Sequence, residues 1–206
     1  VLGVLLDYAL YTNLGAVPNT GTSGVIGGDI GTNGGGTIGG FALKSVHSGS
    51  EQTTNTLTVQ AKTDLDLAYT QLMAMTPNVM HLPIFGGVGV GETVGPGVYH
   101  IAAAGSLGGT IILDGQNDED AFFILKFDGA FTVGESVEVK LINGTRAANV
   151  FWIAEGAIEV GANAVIKGAL FSHPGAITLG PNVDVEGRLL STEGAIFIGA
   201  GGSVYI

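Results

Sequence analysis

The chain has 206 residues, of which 46% are hydrophobic and 12% charged, with 36 glycines and no cysteine. Its length suits one domain with an ample core, and its apolar content excludes a disordered chain. A net charge of −11 with only seven Lys plus Arg excludes nucleic acid and anionic membrane surfaces as partners, because both need clustered cations.

The missing cysteines exclude a disulfide framework and a Cys-ligated metal. No apolar run reaches the ~20 residues of a membrane-spanning helix. Charge is about half the usual ~25%, and glycine well above the usual ~7%. Small neutral residues replace the charges, a surface suited to close approach to something uncharged.

Residues 1–47 read as strand-like and Gly-rich. The opening Val1-Leu-Gly-Val-Leu-Leu6 is a core segment or the edge of a removed signal peptide. Tyr8-Ala-Leu-Tyr11, Gly24-Val-Ile-Gly-Gly-Asp-Ile30 and Thr37-Ile-Gly-Gly-Phe41 are separated by Asn, Gly and Pro turns. Residues 50–76 predict a helix capped by Ser50 and stopped by Pro77. Leu57, Ala61, Leu65, Ala68, Leu72 and Met75 form one apolar stripe along it. So one-sided a stripe has to lie along another apolar surface, and Asp64, Asp66, Thr70 and Gln71 face water.

Residues 79–206 return to short strands and carry a period of nineteen residues. Ala157, Ala176 and Ala195 keep it, as do Ile158, Ile177 and Ile196, and Gly161, Gly180 and Gly199. Val160, Leu179 and Ile198 form a further column, and Ile166, Val185 and Val204 another. Over two coils Ser172 matches Ser191 and Gly175 matches Gly194. A coil of that size makes three short strands and three corners, so stacking buries Ile158, Val160, Ile166, Leu170 and their equivalents in one core. Thr132-Val-Gly134 and Ile112-Leu113 resemble the same strand at other spacings, which predicts insertions before residue 150.

These residues, read together, resemble the DUF3494-type ice-binding (antifreeze) proteins. The resemblance rests on Tyr8-Ala-Leu-Tyr-Thr-Asn13, Gly27-Gly-Asp-Ile-Gly31, Ala61-Lys-Thr-Asp-Leu65, Pro96-Gly-Val-Tyr99, Leu141-Ile-Asn-Gly144, Asn149-Val-Phe-Trp152 and Gly187-Arg-Leu-Leu190, in one order over most of the chain. It implies an all-β solenoid: a right-handed, discontinuous β-helix of triangular section with one long α-helix packed alongside, forming a single domain over 1–206. It also implies a secreted monomer that adsorbs to ice through a flat solenoid face, without catalysis or cofactor.

Physical chemistry gives such a face its requirements. Stacked strands repeat every ~4.7–4.9 Å, a rigid array that can meet a crystal at many weak contacts without ordering cost. Outward Thr, Ala and Gly suit this, whereas Lys and Glu hold hydration shells of their own. The face carrying 165, 167 and 169 shows Lys167 and Glu186 on adjacent rungs and is a poor candidate. The favoured face carries Ala157, Ala176, Ala195, Thr178, Ala162 and Ala200. Thr132 and Ser136 extend it in an earlier coil, and Thr20 and Thr37 join from the N-terminal part. Glu159 and Phe197 interrupt its Thr column, an imperfection that predicts stronger inhibition of recrystallisation than of freezing.

Other constellations have plainer readings. Asp114, Asp118, Glu119 and Asp120 lack EF-hand spacing and read as a solvated loop. His47, His81, His100 and His173 are scattered, with no metal-site spacing. Gly87-Val-Gly-Val-Gly91 has no following Lys and reads as turn glycine, Asn143-Gly-Thr145 as a turn, and Trp152 as core. A polysaccharide lyase would need a convergent acid and base that the outward columns do not offer. A carbohydrate-binding or adhesive solenoid would present aromatic platforms, for which only Phe197 and Tyr205 are available in the repeat.

Overall fold

In the computed structural model, which describes residues 2–19, 21–41, 47–86 and 91–206, the nineteen-residue period is one turn of a parallel β-solenoid. Ile158, Ile177 and Ile196 stand level on successive coils, as do Ile166, Val185 and Val204. Their side chains are almost fully buried. The strands are short because each coil turns a corner every few residues. Asn163 and Asn182 take positive φ (58° and 56°) at one such corner, a conformation Asn tolerates better than most residues.

The coils stack out of chain order. Coil one comprises Val79–Met80, Ile84–Phe85 and Glu92–Val94; coil two Gly97–Ile101, Gly105–Leu107 and Ile111–Asp114; coil three Phe123–Phe127, Phe131–Val133 and Val139–Ile142. Coil four comprises Val150–Ala154, Ile158–Val160 and Val165–Lys167; coil five Ala169–Ser172, Ile177–Leu179 and Asp184–Glu186; coil six Leu189–Ser191, Ile196–Ile198 and Ser203–Tyr205. The N-terminal strands then continue the pile. Coil seven (Tyr8–Thr12, Val17–Pro18, Gly24–Ile26) pairs with coil six through Leu10 and Leu189 and through Val25 and Val204. Coil eight (Asp29–Thr32, Ile38–Gly39) lies beyond it, and Glu51–Thr53 adds a last strand to the nine-stranded sheet.

The irregular early coils have a simple cause. Level partners lie 26 and 27 residues apart from Gly105 to Phe131 and from Phe131 to Ile158, against 19 from Ile158 to Ile177. The excess sits in the loops between Asp114 and Phe123 and between Ile142 and Val150. In the core beside them Phe127 stacks on Phe131 and Phe131 on Trp152, whose Nε1 donates to the carbonyl of Lys167 at 2.9 Å.

The helix, Thr56–Ala74, returns the chain from one end of the pile to the other. Nineteen residues span about 28 Å, most of the roughly 38 Å covered by nine paired strands. Its start differs from the sequence expectation. Residues Glu51–Thr53 pair as a strand, and Asn55 rather than Ser50 caps the helix. The Asn55 Oδ1 accepts from the N–H groups of Leu57 and Thr58 at 2.9 and 3.0 Å, and the Thr58 Oγ1 accepts from Asn55 N at 2.8 Å, a reciprocal capping box. Ala61, Leu65, Ala68 and Leu72 bury against Tyr11, Ile124, Ile153, Phe171 and Leu190 of the large sheet. Leu57 and Met75, expected on the stripe, are 51% and 37% exposed because they lie at the helix ends.

Candidate functional site

Three faces clothe the solenoid, and their outward residues decide what each can meet. The helix covers the nine-stranded sheet. The second face is charged: Val165, Asp184 and Ser203 share one column, and Lys167, Glu186 and Tyr205 the next. The Lys167 Nζ sits 2.7 Å from the Glu186 carboxylate and 5.9 Å from the Tyr205 ring centroid. Ala169, expected on this face, is not part of it. The chain turns at Gly168 (φ 109°), and Ala169 opens the next strand of the helix-bearing sheet, 5% exposed.

The third face is the six-stranded sheet of coils one to six, extended by Val17–Pro18 and Ile38–Gly39. Each of its three-residue strands buries its first and last side chain and turns the middle one outward. That middle column runs Ile84, Ser106, Thr132, Glu159, Thr178, Phe197 in register. Thr132 and Thr178 are therefore brought onto one line, with Glu159 between them. None of the hydrogen bonds or ion pairs of the described side chains engages the Glu159 carboxylate, and the residue is exposed.

Beside this column lies a row of alanines. The N–H to O=C bonds that set each level place Ala104, Ala130, Ala157, Ala176, Ala195 and Ala16 in sequence, followed by Thr37. Three of these alanines were foreseen from the repeat. Ala104, Ala130 and Ala16 were not, because insertions or the chain break in stacking order carry them off the nineteen-residue period. One partial signal is legible: the dipeptide Gly-Ala occurs at 15–16, 129–130, 156–157, 175–176 and 194–195, though also at 161–162, 168–169 and 199–200, outside the row. The row covers about 24 Å at the strand spacing.

Close stacking explains the glycines. A Cβ on Gly194 would lie 2.2 Å from the Gly175 carbonyl oxygen, and one on Gly15 would lie 2.3 Å from that of Gly194. No side chain fits where the backbones of successive coils approach this closely.

The remaining expected residues take other places. Ala162 and Ala200 line the far edge of the face, level with Glu135 and Pro181. Ser136 is not beside them: with φ 58° it sits at the corner, level with Asn163 and Asn182. Thr20 lies outside the described residues. In the acidic loop, Asp114 accepts from Gln116 N at 2.9 Å and Asn143 Nδ2 at 2.8 Å, which hold its carboxyl below the usual range. Glu119 pairs with Arg146. Among the described residues, no three His, Asp or Glu side chains converge as a metal site would require.

Residues 12–201 match the family described as ice-binding-like. The chain belongs to that family. It is 35% identical over 116 residues to "Ice-binding protein 1" of Shewanella frigidimarina (strain NCIMB 400), covering 55% of this chain and 13% of that protein. It is 30% identical over 156 residues to the "Ice-binding protein" of Nostoc sp. (strain HG1), covering 76% of this chain and 56% of that one. The match thus spans little more than half of the Nostoc protein and about an eighth of the Shewanella one. Among solved structures, an ice-binding protein from an Antarctic Flavobacteriaceae bacterium superposes with a TM-score of 0.90 at 38% identity, over all of this chain and 47% of that one.

Proposed function

We propose that this chain binds ice through its third face and thereby restrains crystal growth and recrystallisation. The observation that carries the reading is the alanine row, six levels of one small apolar residue at a fixed backbone spacing, flanked by Thr132 and Thr178. Rows of this kind need no ordering on contact, so many weak interactions add without entropic cost. The charged second face has no such property, since Lys167, Glu186 and Asp184 keep their own water.

The site acts by adsorption, as a monomer and without cofactor or turnover. Bulk ice forms outside cells, which is where this reading puts the protein, secreted into its surroundings. Membership of the ice-binding-like family supports it.

Thr178→Tyr and Thr93→Tyr test the assignment. Thr93 is exposed on the opposite, charged side, level with Ile112. Freezing hysteresis and inhibition of recrystallisation should collapse for Thr178→Tyr and persist for Thr93→Tyr. Equal loss in both, or loss in Thr93→Tyr alone, would sink the face assignment. A round, freely growing ice crystal in the parent solution would remove ice binding itself and turn attention to carbohydrate or adhesive partners.

A further inference from the structure

Inside the corner that leads into the alanine row runs a ladder of buried hydroxyls. Ser172, Ser191, Thr12 and Thr32 are 0% exposed and share one register on coils five to eight. Each donates to the carbonyl of a corner glycine one coil back. Ser172 Oγ reaches Gly156 O at 2.7 Å, Ser191 Oγ reaches Gly175 O at 2.9 Å, Thr12 Oγ1 reaches Gly194 O at 2.7 Å, and Thr32 Oγ1 reaches Gly15 O at 2.6 Å. Two of the hydroxyls also accept: Gly194 N donates to Ser191 Oγ at 2.8 Å and Gly15 N to Thr12 Oγ1 at 3.1 Å. Among the described residues no backbone N–H reaches those four carbonyls.

The four glycines immediately precede Ala157, Ala176, Ala195 and Ala16. A buried hydroxyl must find partners, and here each has one at the root of the alanine row; Ser172 Oγ also lies 2.6 Å from Gly175 O of its own coil, and Thr32 Oγ1 3.3 Å from Asn33 O. Closing a coil does not itself require the hydroxyl. Ala154 occupies the same register on coil four, level with Ser172, and that coil closes with a methyl group in its place.

We propose that Thr12, Thr32, Ser172 and Ser191 are positioning residues, which hold the corner carbonyls so that the alanines of coils four to seven stand in a straight, evenly spaced row. This inference rests on the reading that the third face meets ice. A lattice match makes the arrangement sensitive: a corner free to shift on each coil accumulates misfit along the row, whereas burial of the core hardly changes. The hydroxyls act through backbone geometry and touch no crystal.

The test compares variants of the 206-residue chain by hysteresis and inhibition of recrystallisation at equal concentration, well below their melting temperatures. Ser191→Ala removes one donor. Ser191→Thr restores it with a residue that the same column already accommodates at Thr12 and Thr32. Thr32→Val removes a donor near the end of the pile at nearly constant volume, where folding is least at risk. Val139→Ala, a core truncation on coil three away from the row, supplies a comparison of similar melting temperature.

Ser191→Ala and Thr32→Val should each lose hysteresis several-fold with unchanged circular dichroism, Ser191→Thr should return to near the parent value, and Val139→Ala should keep its activity. If the hydroxyl variants keep parent activity, or lose no more than Val139→Ala, the ladder has no positioning role. Thr178→Tyr separates the two readings. Should it have no effect, the ice face itself is misassigned; should it abolish activity while the hydroxyl variants keep theirs, only the ladder inference fails.

Discussion

Glu159 and Thr178 stand level on adjacent coils, so an exposed carboxylate occupies the middle column of the third face. Its hydration shell interrupts the Thr column between Thr132 and Thr178. Glu159→Thr joins the two segments, and its expected result is greater hysteresis at equal concentration together with stronger inhibition of recrystallisation. Glu159→Gln, which removes the charge at constant size, should shift activity in the same direction. Unchanged or weaker activity in both would mean that the carboxylate does not limit the face.

Gly194 is the second place to test. A methyl group there would meet the Gly175 carbonyl oxygen at 2.2 Å and Ala176 N at 2.3 Å, both rigid backbone of the coil below. Gly194→Ala should cost about 1–3 kcal/mol, the usual penalty for overpacking a close-packed site. Urea unfolding would read it, and a loss within error of zero would show that the coils can move apart freely.

Lys126 closes the other end of the helix. It is only 3% exposed, and its Nζ donates to the carbonyls of Met73 and Met75 at 3.0 and 2.5 Å. Burial pulls its pKa below the ordinary lysine value, yet the ammonium faces carbonyls that have no further turn of helix to pair with. Lys126→Met keeps the stem and deletes the donors. It should destabilise the fold by about 1–3 kcal/mol through the unpaired carbonyls, measured by denaturant titration. A variant as stable as the parent would assign the cap no net worth.

Alkaline pH should expose the buried tyrosines. Burial raises Tyr8 from 10.0 to about 12, with Asp29 and Asp7 adding to the shift. Tyr11, whose hydroxyl donates to Thr58 O at 2.7 Å, is raised further by burial, and Tyr69 and Tyr99 are raised too. Folded values above the unfolded one mean that this stability is fully present below pH ~10. It is lost as pH climbs toward 12, at about 1.4 kcal/mol per pH unit for each such group. Phenolate absorbance should therefore appear late in the native protein and near pH 10 in urea. Unfolding midpoints should fall between those two pH values, and coincident native and denatured titrations would contradict the buried phenols.

The contents of one coil can be read from the chain because a solenoid presents the same environment every turn. Ile158, Ile177 and Ile196 recur at nineteen residues since each fills the same slot in the core. The helix stripe is legible for a similar reason: Ala61, Leu65, Ala68 and Leu72 repeat one local geometry. Its exact start was less legible, because Glu51–Thr53 became a strand through a partner, Asp29–Thr32, some twenty residues away.

Sequence by itself thus determined the repeat, the buried columns, the charged pair Lys167 and Glu186 and three members of the alanine row. Tertiary structure decided which coils are neighbours. Coil seven lies against coil six only because the helix carries the chain back along the pile, and no periodicity in the sequence records that return. For the same reason Ala16 joins Ala195 and Thr12 joins Ser191. Level position in a solenoid depends on stacking, and insertions or a discontinuous chain separate stacking from count.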